Sequence, residues 1–200
     1  MKRSLKINSE ELERLRRVVI DLNVQWQMFE ELFLDSTNYA VFNRTGALFW
    51  DHFRAYLLDA LFASISRFFD PVGNKHQMNL SLAAVLEFPE IVTIKVDLER
   101  RLTAMIPVWE KGVKIWRHKK LSHSDLSTAL GKSSLPEVPF SEVKKLVDDI
   151  SGFVREIDHQ LNQTDVSYRI NPTKWTPEVL RYLKAGIQKI DADYENRIRT

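Results

Sequence analysis

The chain contains no cysteine. That absence excludes a disulfide scaffold, a thiolate zinc site, an iron–sulfur cluster and a cysteine nucleophile. Glycine and proline are scarce, six and seven in 200 residues, about half their usual share. Few turn-formers in a long chain mean few turns and long elements, so the expected fold class is all-α. Neither sign of charge is in excess: 29 basic and 27 acidic residues leave a net +2. So balanced a chain is not a general polyanion binder, and any nucleic-acid contact must be a local patch. Long uncharged apolar runs are also lacking. Even the stretch from Ala55 to Phe69 carries Asp59 and Arg67, so no membrane-spanning helix is expected. The start, Met1-Lys2-Arg3 through Lys6-Ile7-Asn8, has no apolar core of a secretory signal. These features predict a soluble, cytoplasmic protein with no membrane association.

What is present is helical periodicity. Leu12, Leu15, Val19, Leu22, Trp26, Phe29 and Phe33 recur at spacings of three and four, one apolar stripe behind an Asn8/Glu11 capping pattern. Asp35 to Asn38 reads as a break. A second helix is predicted from about Thr45 to Phe69, apolar on more than one face, which suits a central helix or a subunit interface. Asp70-Pro71-Val72-Gly73-Asn74 stops it. Asn79 is expected to cap a short helix through Leu86, and Pro89 to open another with the stripe Ile91, Ile94, Leu98, Leu102 and Met105. The β-branched run Ile91–Val96 admits a strand, but the stripe continues past it. Pro107 should start a new helix or a kinked continuation, ending near Leu121. Ser141 should cap a helix carrying Val143 to Leu161, and Thr176-Pro177 should open the last one. The stripe of that last helix is Val179, Leu180, Leu183, Ile187 and Ile190, with a polar end from Asp191 to Thr200 expected to fray. Phe49, Phe53, Leu57, Leu61 and Trp116 are expected to be largely buried.

The densest polar constellation is RHKKLSHSD, Arg117 to Asp125. From Lys111 to Lys120 there are five basic residues and no acidic one. Six positions on a helix turn through about 600°, which places Arg117 and His123 about 120° apart. They converge if the helix end unwinds. The plain alternative is a solvated basic face that favours the helix dipole. An arginine four to six residues before a histidine is a common chance pattern in a chain of this composition. Helix-terminal placement, the polar residue after the arginine and Ser124-Asp125 after the histidine raise the functional reading.

That stretch resembles the helix-end motif of HEPN domains, an arginine followed by four to six residues and a histidine. Paired with Ser66-Arg67-Phe68-Phe69-Asp70-Pro71, it resembles the abortive-infection AbiU-like branch over roughly residues 39 to 153. The resemblance implies a HEPN-like antiparallel helical bundle over residues 1–165, with 166–200 as a C-terminal helical extension of the same domain. It implies a homodimer whose interface includes the helix carrying Arg117, an RNA substrate, and an antitoxin or regulatory protein as partner. It implies a metal-independent endoribonuclease of phage defence or toxin–antitoxin type, with no cofactor and no metal. Arg117 and His123 match the family's catalytic pair. His118 stands where the family typically carries Asn or another polar residue.

The implied chemistry is coherent. His123, with an ordinary pKa near 6.5, suits a base that takes the 2′-OH proton. Arg117 suits the phosphorane charge, because its planar fork matches two phosphoryl oxygens. Lys114, His118, Lys119 and Lys120 would hold RNA, and Asp125 would orient His123. Two other readings stand beside the enzyme: a non-catalytic helical module that binds RNA, nucleotide or a protein, and a structural domain without a ligand site. An open cleft favours the enzyme and a flat basic face the binder. A basic run tied up in internal ion pairs favours the third. Elsewhere, Asp51-His52 lacks a second histidine at metal-ligand spacing. Asp148, Asp149, Glu156 and Asp158 read as a solvated helix face, and Arg67 with Asp70 as a local pair.

Overall fold

The structure, a computed structural model, describes residues 9–74, 77–122, 134–163, 165–168 and 176–199. Asn8, His76, His123, Asp125, Gly131, Asn171-Pro172 and Trp175 lie outside the described residues.

The chain runs through α1 (Ser9–Phe29), α2 (Asn38–Phe68), α3 (Leu82–Val85), α4 (Lys95–Val108), α5 (Lys114–Trp116), α6 (Phe140–Asn162) and α7 (Thr176–Arg199). Among the described residues the strand pairing is a two-residue antiparallel ladder, Gly73–Asn74 with Gln77–Met78. The molecule is an all-α bundle. α1 packs against α2 and α6, α4 packs against α6, and α7 lies against α2.

The apolar stripes do what their spacing requires. Leu12, Leu15, Val19, Leu22, Trp26, Phe29 and Phe33 are all buried. The stripe of α6, from Val143 through Leu146, Val147, Ile150, Phe153 and Val154 to Ile157, is buried too. Two polar ties fix α1 to α6. Asn23 donates to Ser151 Oγ at 2.8 Å, and Arg16 Nε donates to Asp158 at 2.8 Å. Asp158 is fully buried and also accepts from the Tyr168 hydroxyl. It therefore does not belong to the solvated face expected of it. Its neighbours do: Lys144 and Lys145 pair with Asp148 and Asp149 one turn on, and Arg101 reaches Glu156.

Several element ends differ from expectation for identifiable reasons. α1 runs on through a π-helical turn, Glu30–Leu34, before the predicted break. There Asp35 accepts from both the amide and the hydroxyl of Thr37. The Thr37 hydroxyl first, then its amide, hold the Asp35 carboxyl below its ordinary range. α2 starts at Asn38 rather than Thr45, and is bent at Gly46, with φ 124° and ψ 74°. Only glycine takes that conformation without strain. Ser81, not Asn79, caps α3 by accepting from the Ala84 amide at 3.3 Å, while the Asn79 side chain donates to the Pro71 carbonyl. The β-branched run is neither helix nor strand at first: Pro89–Ile91 is a 3₁₀ turn, and α4 begins at Lys95. Pro107 starts no new helix. The chain stays helical through it, as the continuation the sequence also allowed, and widens into a π turn, Trp109–Val113. α6 begins at Phe140 after Pro139, so Ser141 lies inside the first turn. α7 stays helical to Arg199, and Arg44 grips Asp191 with two bonds of 2.6 Å. Within its stripe, Leu180 is buried but Val179 and Ile190 are exposed.

Burial on α2 also departs from expectation. Leu57 and Leu61 are buried and Phe53 is half-buried, yet Phe49 is 62% exposed. Trp116 is half-buried, edge-on to Phe62, and donates to the Pro136 carbonyl at 2.8 Å. Leu61→Ala should therefore cost about 2–5 kcal/mol, by lost transfer energy plus a cavity. Phe49→Ser should stay within about 0.5 kcal/mol for the monomeric fold. Urea denaturation of the two variants checks the contrast, and equal losses would contradict the burial assignment.

No helix among the described residues is long and apolar enough to cross a membrane.

Candidate functional site

The RHKKLS segment is a π-helical turn, Arg117–Ser122, that continues directly from α5. Its position follows from two packing anchors just before it. Val113 is buried, and Trp116 wedges against Phe62 of α2. With these fixed, the following turn lies along α2.

Arg117 Nη1 donates to Asp70 Oδ1 at 2.6 Å, with the two side chains 33% and 23% exposed. Asp70 ends the Ser66–Asp70 segment, just past the C-terminus of α2. Lys120 Nζ bonds Asp59 of α2 at 2.7 Å and stands over the Trp116 ring, 5.3 Å from its centre. Lys114 bonds Glu110 at 2.9 Å and covers the Trp109 ring, which in turn stacks on Phe69. His118 is exposed and Lys119 half-buried. The expected local pair of Arg67 with Asp70 does not form, because Asp70 is taken by Arg117 and Arg67 points to solvent. What sequence reasoning missed are the pairings of Asp59 with Lys120 and of Asp70 with Arg117. The partners are 61 and 47 positions apart, and no local spacing signals such pairs.

The structure thus brings Arg117 and Lys120 to α2, with Lys114 one turn back, but it does not leave all three as open cations. Partly exposed ion pairs of this kind are worth about 1 kcal/mol or less. A phosphate, which accepts two bonds from a guanidinium, can compete for Arg117 on those terms. His123 and Asp125 lie outside the described residues. Among the described residues no group of three His, Asp or Glu converges as a metal site. His52 is exposed and stacks on Tyr56 rather than meeting other ligands. A groove of about 620 Å³ lies elsewhere, between the Asp35 turn and α7, with Glu31, Leu180 and Lys184 on its walls. None of the predicted site residues lines it.

Comparison with known families gives one match. The HEPN AbiU2 family, described as AbiU2, matches residues 9–173. That is wider than the 39–153 stretch carrying the sequence resemblance, and it stops just short of α7. No curated protein and no solved structure was found to match the chain.

Proposed function

The chain belongs to the HEPN AbiU2 family, and from that premise we propose that it is a metal-independent endoribonuclease of an abortive-infection or toxin–antitoxin system. One observation carries the reading. The two segments on which the family resemblance rests, Ser66–Pro71 and Arg117–Asp125, are 47 residues apart yet meet through the Arg117–Asp70 bond. Arg117 is the transition-state cation, held ready by Asp70 at a helix end. His123 is the base that removes the 2′-OH proton. The oxygen left behind attacks the adjacent phosphorus as the bond to the 5′-oxygen of the next nucleotide breaks, and that oxygen takes a proton from water to become the 5′-hydroxyl. His118, Lys119, Lys120 and Lys114 bind the RNA backbone, and Asp125 orients His123. The working unit is a homodimer with the Arg117 helix at its interface, kept in check by an antitoxin or regulatory protein.

The purified protein should cleave single-stranded RNA in EDTA and leave 2′,3′-cyclic phosphate and 5′-hydroxyl ends. DNA should resist, since it lacks the nucleophile. Products with 3′-hydroxyl ends, or activity abolished by EDTA, would refute the mechanism. Lys119→Ala should leave the end chemistry unchanged, weaken RNA binding and lower the salt slope by about one. A titration of RNA affinity against salt reads this directly.

A second reading has its own support. Arg117 and Lys120 pair with Asp70 and Asp59 across the fold, and Lys114 pairs with Glu110 one turn back, as expected of a basic run that latches a helix end to α2 in a structural domain without a ligand site. If the protein binds RNA but neither it nor its Arg117 and His123 variants cleave above background, the non-catalytic helical module takes first place, and if it neither binds nor cleaves RNA, the structural domain does.

A further inference from the structure

α7 carries one apolar stripe with two fates. Leu180, Leu183, Ile187, Ile190, Tyr194 and Ile198 fall within a sector about 80° wide at 100° per residue. Leu180 is buried, and Leu183 and Ile187 are half-buried against the bundle. The same stripe then runs on uncovered: Ile190, Tyr194 and Ile198 are 65%, 66% and 67% exposed. Support ends at Asp191, which is tied to Arg44, two residues before Gly46 redirects α2. The helix nevertheless continues to Arg199.

α2 carries a second uncovered stripe just beyond that bend. Leu48, Phe49 and Tyr56 are 72%, 62% and 70% exposed, with exposed His52 between them. These side chains share a sector of about 100°. Both stripes span nine residues, eight steps or about 12 Å of helix. Each is largely apolar, of matching length and left uncovered by the described residues. A soluble monomer rarely leaves such faces open. A twofold exchange covers both at once, because each copy supplies one of each stripe.

We propose that the end of α7 from one copy docks on the Leu48–Tyr56 face of α2 in a second copy, and reciprocally. α7 lies beyond the residues matched by the family, so this contact is an addition of this chain to the shared bundle. The α2 face leads on to Asp59, the partner of Lys120, seven residues or about 10 Å beyond His52. The partner's helix would therefore lie beside the Arg117–Ser122 turn. The inference does not rest on the ribonuclease reading. Inactivity on RNA leaves it intact, whereas a monomer overturns it.

The lack of cysteine makes the test free of background. His52 and Tyr194 are the midpoints of the two stripes, so they oppose one another whether the helices run parallel or antiparallel. His52→Cys and Tyr194→Cys proteins are purified separately, mixed and mildly oxidised, and the disulfides are identified by mass spectrometry. The expected product is the 52–194 disulfide, enriched about tenfold or more over the same mixture in denaturing urea. Light scattering of the parent protein at tens of micromolar should give a dimer mass, and Ile198→Asp should return it to a monomer. A dominant 194–194 product would mean that the α7 ends pair with each other and would overturn the proposal. So would a monomer mass for the parent, or a 52–194 yield no higher than in urea.

Discussion

His123→Ala is expected to lower RNA cleavage by about 10²–10⁴-fold, the usual contribution of a positioned general base. Arg117→Ala should lose about 10²–10³-fold, because the charge that develops on the phosphoryl oxygens would no longer meet a fixed cation. Both variants should keep the fold. Arg117 contributes a partly exposed ion pair with Asp70, worth about 1 kcal/mol or less, and the core of α1, α2 and α6 does not depend on it. Cleavage of one RNA under single-turnover conditions, with circular dichroism as the folding control, separates lost chemistry from lost structure. Arg117→Lys is the sharper probe. It keeps the charge but loses the planar fork, so it should recover binding without recovering rate. Full activity in Arg117→Lys would place the arginine outside the reaction.

The largest stability effect is expected at Asp158. This carboxylate is fully buried, and it accepts from Arg16 of α1 and from Tyr168 in the segment after α6. Asp158→Ala leaves the Tyr168 hydroxyl and the Arg16 guanidinium without their shared acceptor. Breaking a buried pair costs about 3–5 kcal/mol. Arg16 is 26% exposed at its side chain and can turn partly to water, so about 3 kcal/mol is the expected loss. With a urea slope of about 2 kcal/mol per molar, the midpoint should fall by about 1.5 M. Tyr168→Phe removes one donor and should cost about 1 kcal/mol. An Asp158→Ala midpoint within error of the parent would show that this cluster carries no stability.

The same cluster has a pH signature. Burial first, and then the bond to Asp158, push the Tyr168 hydroxyl above its ordinary value of 10.0. A tyrosine that keeps its proton in the folded state while the unfolded chain releases it favours unfolding as pH rises. Its contribution is therefore complete below about pH 10 and is lost above it. Stability measured from pH 8 to 11 should fall at the alkaline end, and less steeply in Tyr168→Phe.

The elements were legible where a repeating cause acts along the chain. The stripes of α1 and α6 are buried as their spacing requires, because a period near 3.6 puts those side chains on one face whatever lies opposite. The arrest of α2 before Asp70-Pro71 follows from local chemistry, as does the break at Asp35. Boundaries slipped where two local signals competed. Asn79 and Ser81 could each cap α3, and only the neighbouring Pro71 carbonyl, folded back onto Asn79, decides between them.

What the sequence by itself determined is the all-helical class and the buried faces of α1 and α6. Those properties arise from neighbours within a few turns. What only the tertiary structure decided is which charges meet. Asp158 looked like the other acidic residues of its helix, and it is buried because α1 and Tyr168 close over it. Phe49 looked like core, and it is exposed because α2 is apolar beyond the one face its neighbours cover. Arg117 looked like one cation in a basic run, and Asp70, 47 residues away, holds it. A contact over such a separation depends on the path of the whole chain, and no local spacing encodes that path.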